Sequence, residues 1–566
     1  MKQVFFLFFN FPRFFYYCCC YCCLFFFKSF FFSKIVTSVD LSNDDIGNTK
    51  LKYFSEALKK NDTIQTLNLS DNHIQDGINP FCDALSVNES ITELILSRNK
   101  IDDDGAKALA SALKSNHKIS KLVLHFNHLT DDSAAHIMDA LKVNRSITYL
   151  DLWWNNLAEH SMEKLGEALK VNAVIKTLIL ARNIIGDEGL DKLSESLMTN
   201  TSLTELDLSE NGIMWAKFPH FAQVLKKNHT LEKLHFRNNC IAEEGSKFMV
   251  ETLAENKSLK ELDIRGNALK DAGIAQIVKG LKQNTTLKHL NVDDNMIELE
   301  GAKELATVLG EGSSIHLISF NRNPVGDEGA SILFNAIKNN KSMKFVSAKG
   351  LVMKEAGFQS LFEMLKDNKS IHELRLSQIK FDSENASKLA ASLSDSSVKT
   401  LELVECELRD VGAKEISEVV KNCKSLATLD LSYNFIGNEG CCDIADAAKS
   451  TQSLQQLILE NNKIGDQGAA ALAKMLENNK SITLLNLSSN KISDQGVHAL
   501  ALALKSDRAL TSIFLRSNDI TDKGAEFLSE AIMGNSAIVN VGLAYNHIGP
   551  KEIHKLYIEL AENRNK

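Results

Sequence analysis

The chain has 566 residues, 44% of them apolar and 24% charged, and a net charge of −8. That length is too great for one ordinary globular core and points to several domains or a repeat array. The acidic balance excludes the basic footprint of a nucleic-acid-binding surface. The five prolines, at 12, 80, 219, 324 and 550, form no linker, which favours one continuous body.

The first 33 residues stand apart. The run "FFLFFNFPRFFYYCCCYCCLFFFKSFFF" matches nothing downstream, and residues 1–33 hold 13 Phe, five Cys and three Tyr. Its uninterrupted stretch, Phe14 to Phe27, is 14 residues long, short of the roughly 20 that a spanning helix needs. Two origins fit. Phe, Tyr, Cys, Ser and Leu all have codons beginning with T, so a T-rich untranslated stretch read in frame gives this composition. Alternatively the segment is a hydrophobic leader or membrane anchor whose cysteines are acylated at a membrane. In neither case does it belong to a folded core.

From residue 34 to 566 one pattern recurs. "TLNLSDNHI", "TELILSRNKI", "TELDLSENGI", "QQLILENNKI" and "TSIFLRSNDI" each alternate apolar and polar residues, then place an Asn before another apolar residue. The Asn falls at 72, 99, 127, 155, 183, 211, 239, 267, 295 and 323, and again at 434, 462, 490, 518 and 546, nearly always 28 residues apart. An earlier unit carries Asp44 in that slot, so about 19 units are expected. The alternating half, as in Leu150-Asp151-Leu152, predicts a short strand with one buried face. The second half, as in "GDQGAAALAKMLENNKSI", predicts a helix. Asp466 is its expected N-cap, Ala469, Leu472, Ala473 and Leu476 its apolar stripe, and Asn479 its left-handed C-terminal residue. One strand and one helix cannot bury a core alone, whereas stacked copies can. The repeated Asn offers a donor and an acceptor to turns above and below it.

Outward strand residues line one wall. Around the middle of the first half they are His125 and Phe126, then Tyr149, Asp151, Trp153 and Trp154, then Arg182, then Glu210, with Trp215 just beyond its strand. All three tryptophans lie between residues 153 and 215. Exposed aromatics beside Arg have the composition of a binding hot spot. Tyr433, Phe514 and Arg516 are a second, weaker grouping. His125, His235 and His289 occupy outward positions units apart and read as solvated. Near 340–410 the repeat is irregular: Ala348 is small, and Leu351, Ile379 and Cys406 replace the Asn. Ten units end in N-x-S/T, read as capping chemistry between helix and strand, and in a secreted chain as a ring of glycans.

The pattern L-x-x-L-x-L-x-x-N-x-I/L, with 28 residues and a full helix, resembles the leucine-rich repeats of ribonuclease inhibitor. Similar repeats occur in NOD-like receptors and the Ran GTPase-activating protein. The resemblance implies an α/β leucine-rich-repeat solenoid, a horseshoe with parallel strands on its concave face and helices on its convex face. With a wedge on the order of 20° per unit, such a coil approaches or exceeds a full circle.

No G-x-x-x-x-G-K-[ST] loop, H-E-x-x-H, G-x-S-x-G or paired-Cys set occurs. No enzyme, cofactor, metal or nucleic acid is therefore expected. The six cysteines after residue 33 have no C-x-x-C pair, as in a cytoplasmic protein. Membrane association would come only through residues 1–33. The expected function is a monomeric scaffold binding a protein partner on its concave face. The alternative, from the Ran GTPase-activating protein, is a small-GTPase regulator using Arg98, Arg182 or Arg322.

Overall fold

A three-residue strand followed by a turn and a helix is the building block. In the repeat that carries the paired tryptophans, the strand Tyr149–Asp151 turns Leu150 inward, and Leu152 and Leu157 follow it into the core. The helix Glu159–Leu169 closes over them with Met162, Leu165, Ala168 and Leu169. Each buried leucine contributes about 2 kcal/mol of apolar burial, too little for one repeat to stand alone.

The computed structural model describes residues 36–75 and 78–564, together with Leu7–Phe8. The expectations for the rest of residues 1–33 lie outside these. The chain forms two compact units, Met1–Asn295 and Met296–Lys566. In the first, parallel strands run from Ser38–Asp40 to His289–Asn291, each followed by helix. In the second, they run from Leu317–Ser319 to Asn540–Gly542 in the same alternation. Register is strict: Lys121, Tyr149, Thr177 and Glu205 pair in succession, as do Leu122, Leu150, Leu178 and Leu206. Each unit is thus an α/β solenoid, with its strands in one layer and its helices in the other.

The repeated Asn bonds one turn to the next. Asn155 donates through Nδ2 to the carbonyls of Leu124 (3.2 Å) and Leu152 (3.0 Å). Its Oδ1 accepts from the backbone N–H groups of Asn127 (3.1 Å) and Leu129 (3.0 Å) in the preceding repeat. These backbone groups have left the strand ladder, and the amide satisfies them without water.

Two local expectations are corrected. Asp466 is not the cap of its own helix. The helix Asp466–Asn478 starts at it, with Gly465 in the capping position. Its carboxylate instead accepts from the backbone N–H groups of Ser493 (2.8 Å) and Gly496 (2.9 Å), at the start of the next helix. Asp327, Asp410 and Asp494 do the same for the helices that follow them. Asn479 is extended, with φ −78° and ψ 138°, rather than left-handed. Its side chain reaches back to the carbonyls of Ala448 (2.8 Å) and Thr451 (3.0 Å), forming a second amide ladder on the helix side.

Through the irregular stretch the strands Phe345–Ser347, Glu373–Arg375 and Thr400–Glu402 stay parallel and in register. Leu351, Ile379 and Cys406 are buried in place of the amide. Cys406 keeps part of its role, its Sγ donating to the Leu376 carbonyl at 3.4 Å.

Candidate partner-binding site

The residue before the ladder Asn is forced into the left-handed region. Arg98, Phe126, Trp154, Arg182 and Glu210 occupy it in five successive repeats, with φ between 52° and 58°. Gly266 and Gly350 show the inexpensive solution at that position. A large side chain there costs about 1–2 kcal/mol of backbone strain, so the row is held against a local preference.

The five side chains touch in order. The Arg98 guanidinium lies 5.0 Å from the Phe126 ring centroid. Phe126 meets Trp154 edge-on at 4.9 Å. Arg182 stacks on Trp154 at 4.7 Å and on Trp153 at 5.4 Å. Its Nε is 2.6 Å from Glu210 Oε2. Each such cation–π contact is worth about 0.5–1 kcal/mol when exposed.

A second layer stands beside the row. Trp153 meets Trp154 at 5.2 Å and 89°, and His125 packs against Trp153 at 5.5 Å. Asp151 accepts from the backbone N–H of Trp153 (2.9 Å) and lies 3.5 Å from His125 Nδ1. Tyr149 sits under the Lys121 ammonium at 5.3 Å. Burial, followed by the Asp151 and Glu205 carboxylates, raises the pKa of the Tyr149 phenol. It therefore stays neutral, a donor as well as an acceptor.

The sequence-predicted residues thus fall into two places. His125, Phe126, Tyr149, Asp151, Trp153, Trp154, Arg182 and Glu210 form one connected surface. Trp154 is 42% exposed and Trp153 half-buried. Trp215 stands apart, in the loop before the helix Phe218–Lys227. It is exposed, and among the described residues no ring contact joins it to Trp153 or Trp154. Ile184, 63% exposed, and Met214 were not singled out from the sequence. The signal for Ile184 was present: the residue after the Asn is Lys100, His128 or Asn156 in neighbouring copies.

The histidines farther along the sheet are not merely solvated. His235 lies within 4.0 Å of Glu205, Glu261 and Asp263, and His289 Nδ1 is 3.4 Å from Glu261. Arg237 joins Asp207 (3.1 Å) and the Ser209 hydroxyl (3.0 Å). Burial opposes protonation of His235, but Asp263, Asp207 and Glu261 outweigh it and its pKa is raised.

In the second unit, Arg516 lies 5.9 Å over Phe514, while Tyr433 is exposed and, among the described residues, in ring contact with neither. Burial pushes the Cys82 and Cys406 thiols up to about 12, so neither is a nucleophile at neutral pH. Among the described residues no group of His, Cys, Asp and Glu is placed to hold a metal, and no helix is long and apolar enough to cross a membrane.

The chain matches the family model described as Leucine Rich repeat over residues 60–78, 87–110, 171–194, 199–213, 227–248, 255–278, 283–306 and 422–445. It matches the TMOD/LMOD Leucine-rich domain over residues 442–565. No curated protein matches it. Among solved structures it is similar to "Leiomodin-1 Actin-Binding Site 2 (ABS2)", with 25% identity over 27% of this chain and 88% of that one, at a TM-score of 0.25.

Proposed function

We propose that this chain, which belongs to the leucine-rich-repeat family, is a non-enzymatic protein-interaction scaffold that seats its partner on the strand face of its first unit. Solenoids of this kind present long continuous surfaces assembled one side chain per repeat. The observation that carries the reading is the unbroken row Arg98–Phe126–Trp154–Arg182–Glu210. Five repeats keep bulky or charged residues at a left-handed position, and their rings and guanidinium groups order one another before any partner arrives. Pre-ordered aromatic and Arg side chains lose little entropy on binding. Arg182 is occupied by Glu210 and two indoles, so no observation favours its use on a nucleotide.

The test is affinity capture from cell extract with the native chain and with the Trp153→Ala/Trp154→Ala variant. Both residues reach solvent, so the expected result is loss of the captured partner with unchanged helical circular dichroism. A variant that captures the same proteins in the same amounts contradicts the reading. Tyr433→Ala, in the second unit, serves as the comparison and is expected to retain the partner.

A further inference from the structure

The ten N-x-S/T tripeptides at the helix-to-strand joint begin at Asn61, Asn88, Asn144, Asn200, Asn228, Asn256, Asn284, Asn340, Asn368 and Asn479. All ten asparagines are buried. Asn144 shows how they are used. Its Nδ2 donates to the carbonyls of Leu113 (2.8 Å) and Asn116 (3.0 Å), and its Oδ1 accepts from the N–H groups of Ser146 (2.9 Å) and Ile147 (3.0 Å). Asn88, Asn200, Asn256, Asn368 and Asn479 repeat both halves of that arrangement. The hydroxyl of the tripeptide belongs to the same ladder: Ser370 Oγ donates to the carbonyls of Asn340 (2.9 Å) and Met343 (2.8 Å).

We infer that folding of this chain and N-linked glycosylation of these ten asparagines exclude each other, so the repeats fold apart from oligosaccharyl transfer. In that reaction the Asn Nδ2 bonds to the anomeric carbon of a lipid-pyrophosphate-linked glycan, loses one proton and releases the lipid pyrophosphate. In the folded chain the Nδ2 groups of Asn88, Asn144, Asn200, Asn256, Asn284, Asn368 and Asn479 each donate to two carbonyls of the preceding repeat, those of Asn228 and Asn340 donate to one, and all ten asparagines are buried. A glycan attached before folding removes one of those donors and places a large hydrated group where two repeats must close. The damage spreads to both neighbours, because each repeat is stable only through the next. The tripeptide recurs because a short hydroxyl two residues after the Asn completes the ladder. The inference stands independently of the partner-binding reading.

The experiment directs the full chain into the secretory pathway of cultured cells behind an added cleavable leader. Glycan occupancy at the ten sites is then mapped by mass spectrometry in the soluble, protease-resistant fraction and in the insoluble fraction. The expected result is occupancy in the insoluble fraction alone, with soluble yield several-fold lower than in the cytosol and recovered when synthesis of the lipid-linked glycan is blocked. Occupancy at any of the ten in soluble chain with the melting temperature of the unmodified protein overturns the inference. A secreted soluble yield equal to the cytosolic one, unmodified at all ten sites, overturns it too, since folding would then have outrun transfer.

Discussion

A single carboxylate shows how closely this fold depends on its amides. Asp44 fills the ladder position of the first described repeat, is buried, and leaves Oδ2 without a hydrogen-bond partner. Burial first, and then the nearby Asp40, push its pKa from 3.8 up to about 6. A raised carboxyl favours the folded state most below the unfolded value, and that contribution is lost as pH rises through about 6. Asp44→Asn replaces the unpartnered oxygen with a donor. It is expected to raise the melting temperature at pH 7, by a gain on the order of 1 kcal/mol, and to leave no such gain at pH 4; thermal melts at the two pH values check this. At this scale the sequence was informative where one copy departs from its siblings. Asp44 in an Asn slot and Trp153-Trp154 in a slot of small polar residues were both visible. The stacking of Arg98 on Phe126 was not, because it depends on a left-handed backbone that brings side chains of separate repeats together.

At the scale of elements, several helices borrow an N-terminal cap from the repeat before them, whereas the helices Asp103–Ser115 and Ser383–Leu393 are capped by their own Asp102 and Asp382. The Asp466 carboxylate holds the Ser493 and Gly496 N–H groups and the Ser493 hydroxyl. Asp466→Ala is expected to cost about 1 kcal/mol and to speed amide exchange at the start of the helix Asp494–Leu504, not of the helix Asp466–Asn478. The spacing made a cap legible at Asp466 but assigned it to its own helix. Periodicity alone cannot tell which of two stacked copies a side chain serves. The strands carry a second prediction, at His235, which is faced by Glu205, Asp207, Glu261 and Asp263. Of these, Asp207 and Asp263 also pair with Arg237, and Glu261 also pairs with His289. Its raised pKa means that protonation stabilises the fold. That contribution is complete below the unfolded value near 6.5 and is lost as pH rises through the higher folded value. All three tryptophans lie in the first unit, so urea melts followed by their fluorescence report on it. Between pH 6 and 8 the midpoint is expected to fall in the native chain, and to fall less in His235→Gln.

Over the whole chain the alternation of strand, amide and helix was legible from the 28-residue spacing. Equivalent residues pair in register in each unit. Two things were not legible. The second amide ladder looked like a set of helix ends, because a buried Asn and a left-handed Asn are the same letter. Trp215 looked like part of the tryptophan cluster, because closeness in sequence does not place a loop residue on the strand face. What remains of the cluster gives a direct optical test. Trp215→Phe leaves Trp153 and Trp154 as the only indoles, and Trp154 is 42% exposed. The measurement is acrylamide quenching of that variant with and without the captured partner. If the partner seats on this face, quenching falls sharply when it binds; a partner that binds and leaves the quenching of both indoles unchanged contradicts a site at Trp153 and Trp154.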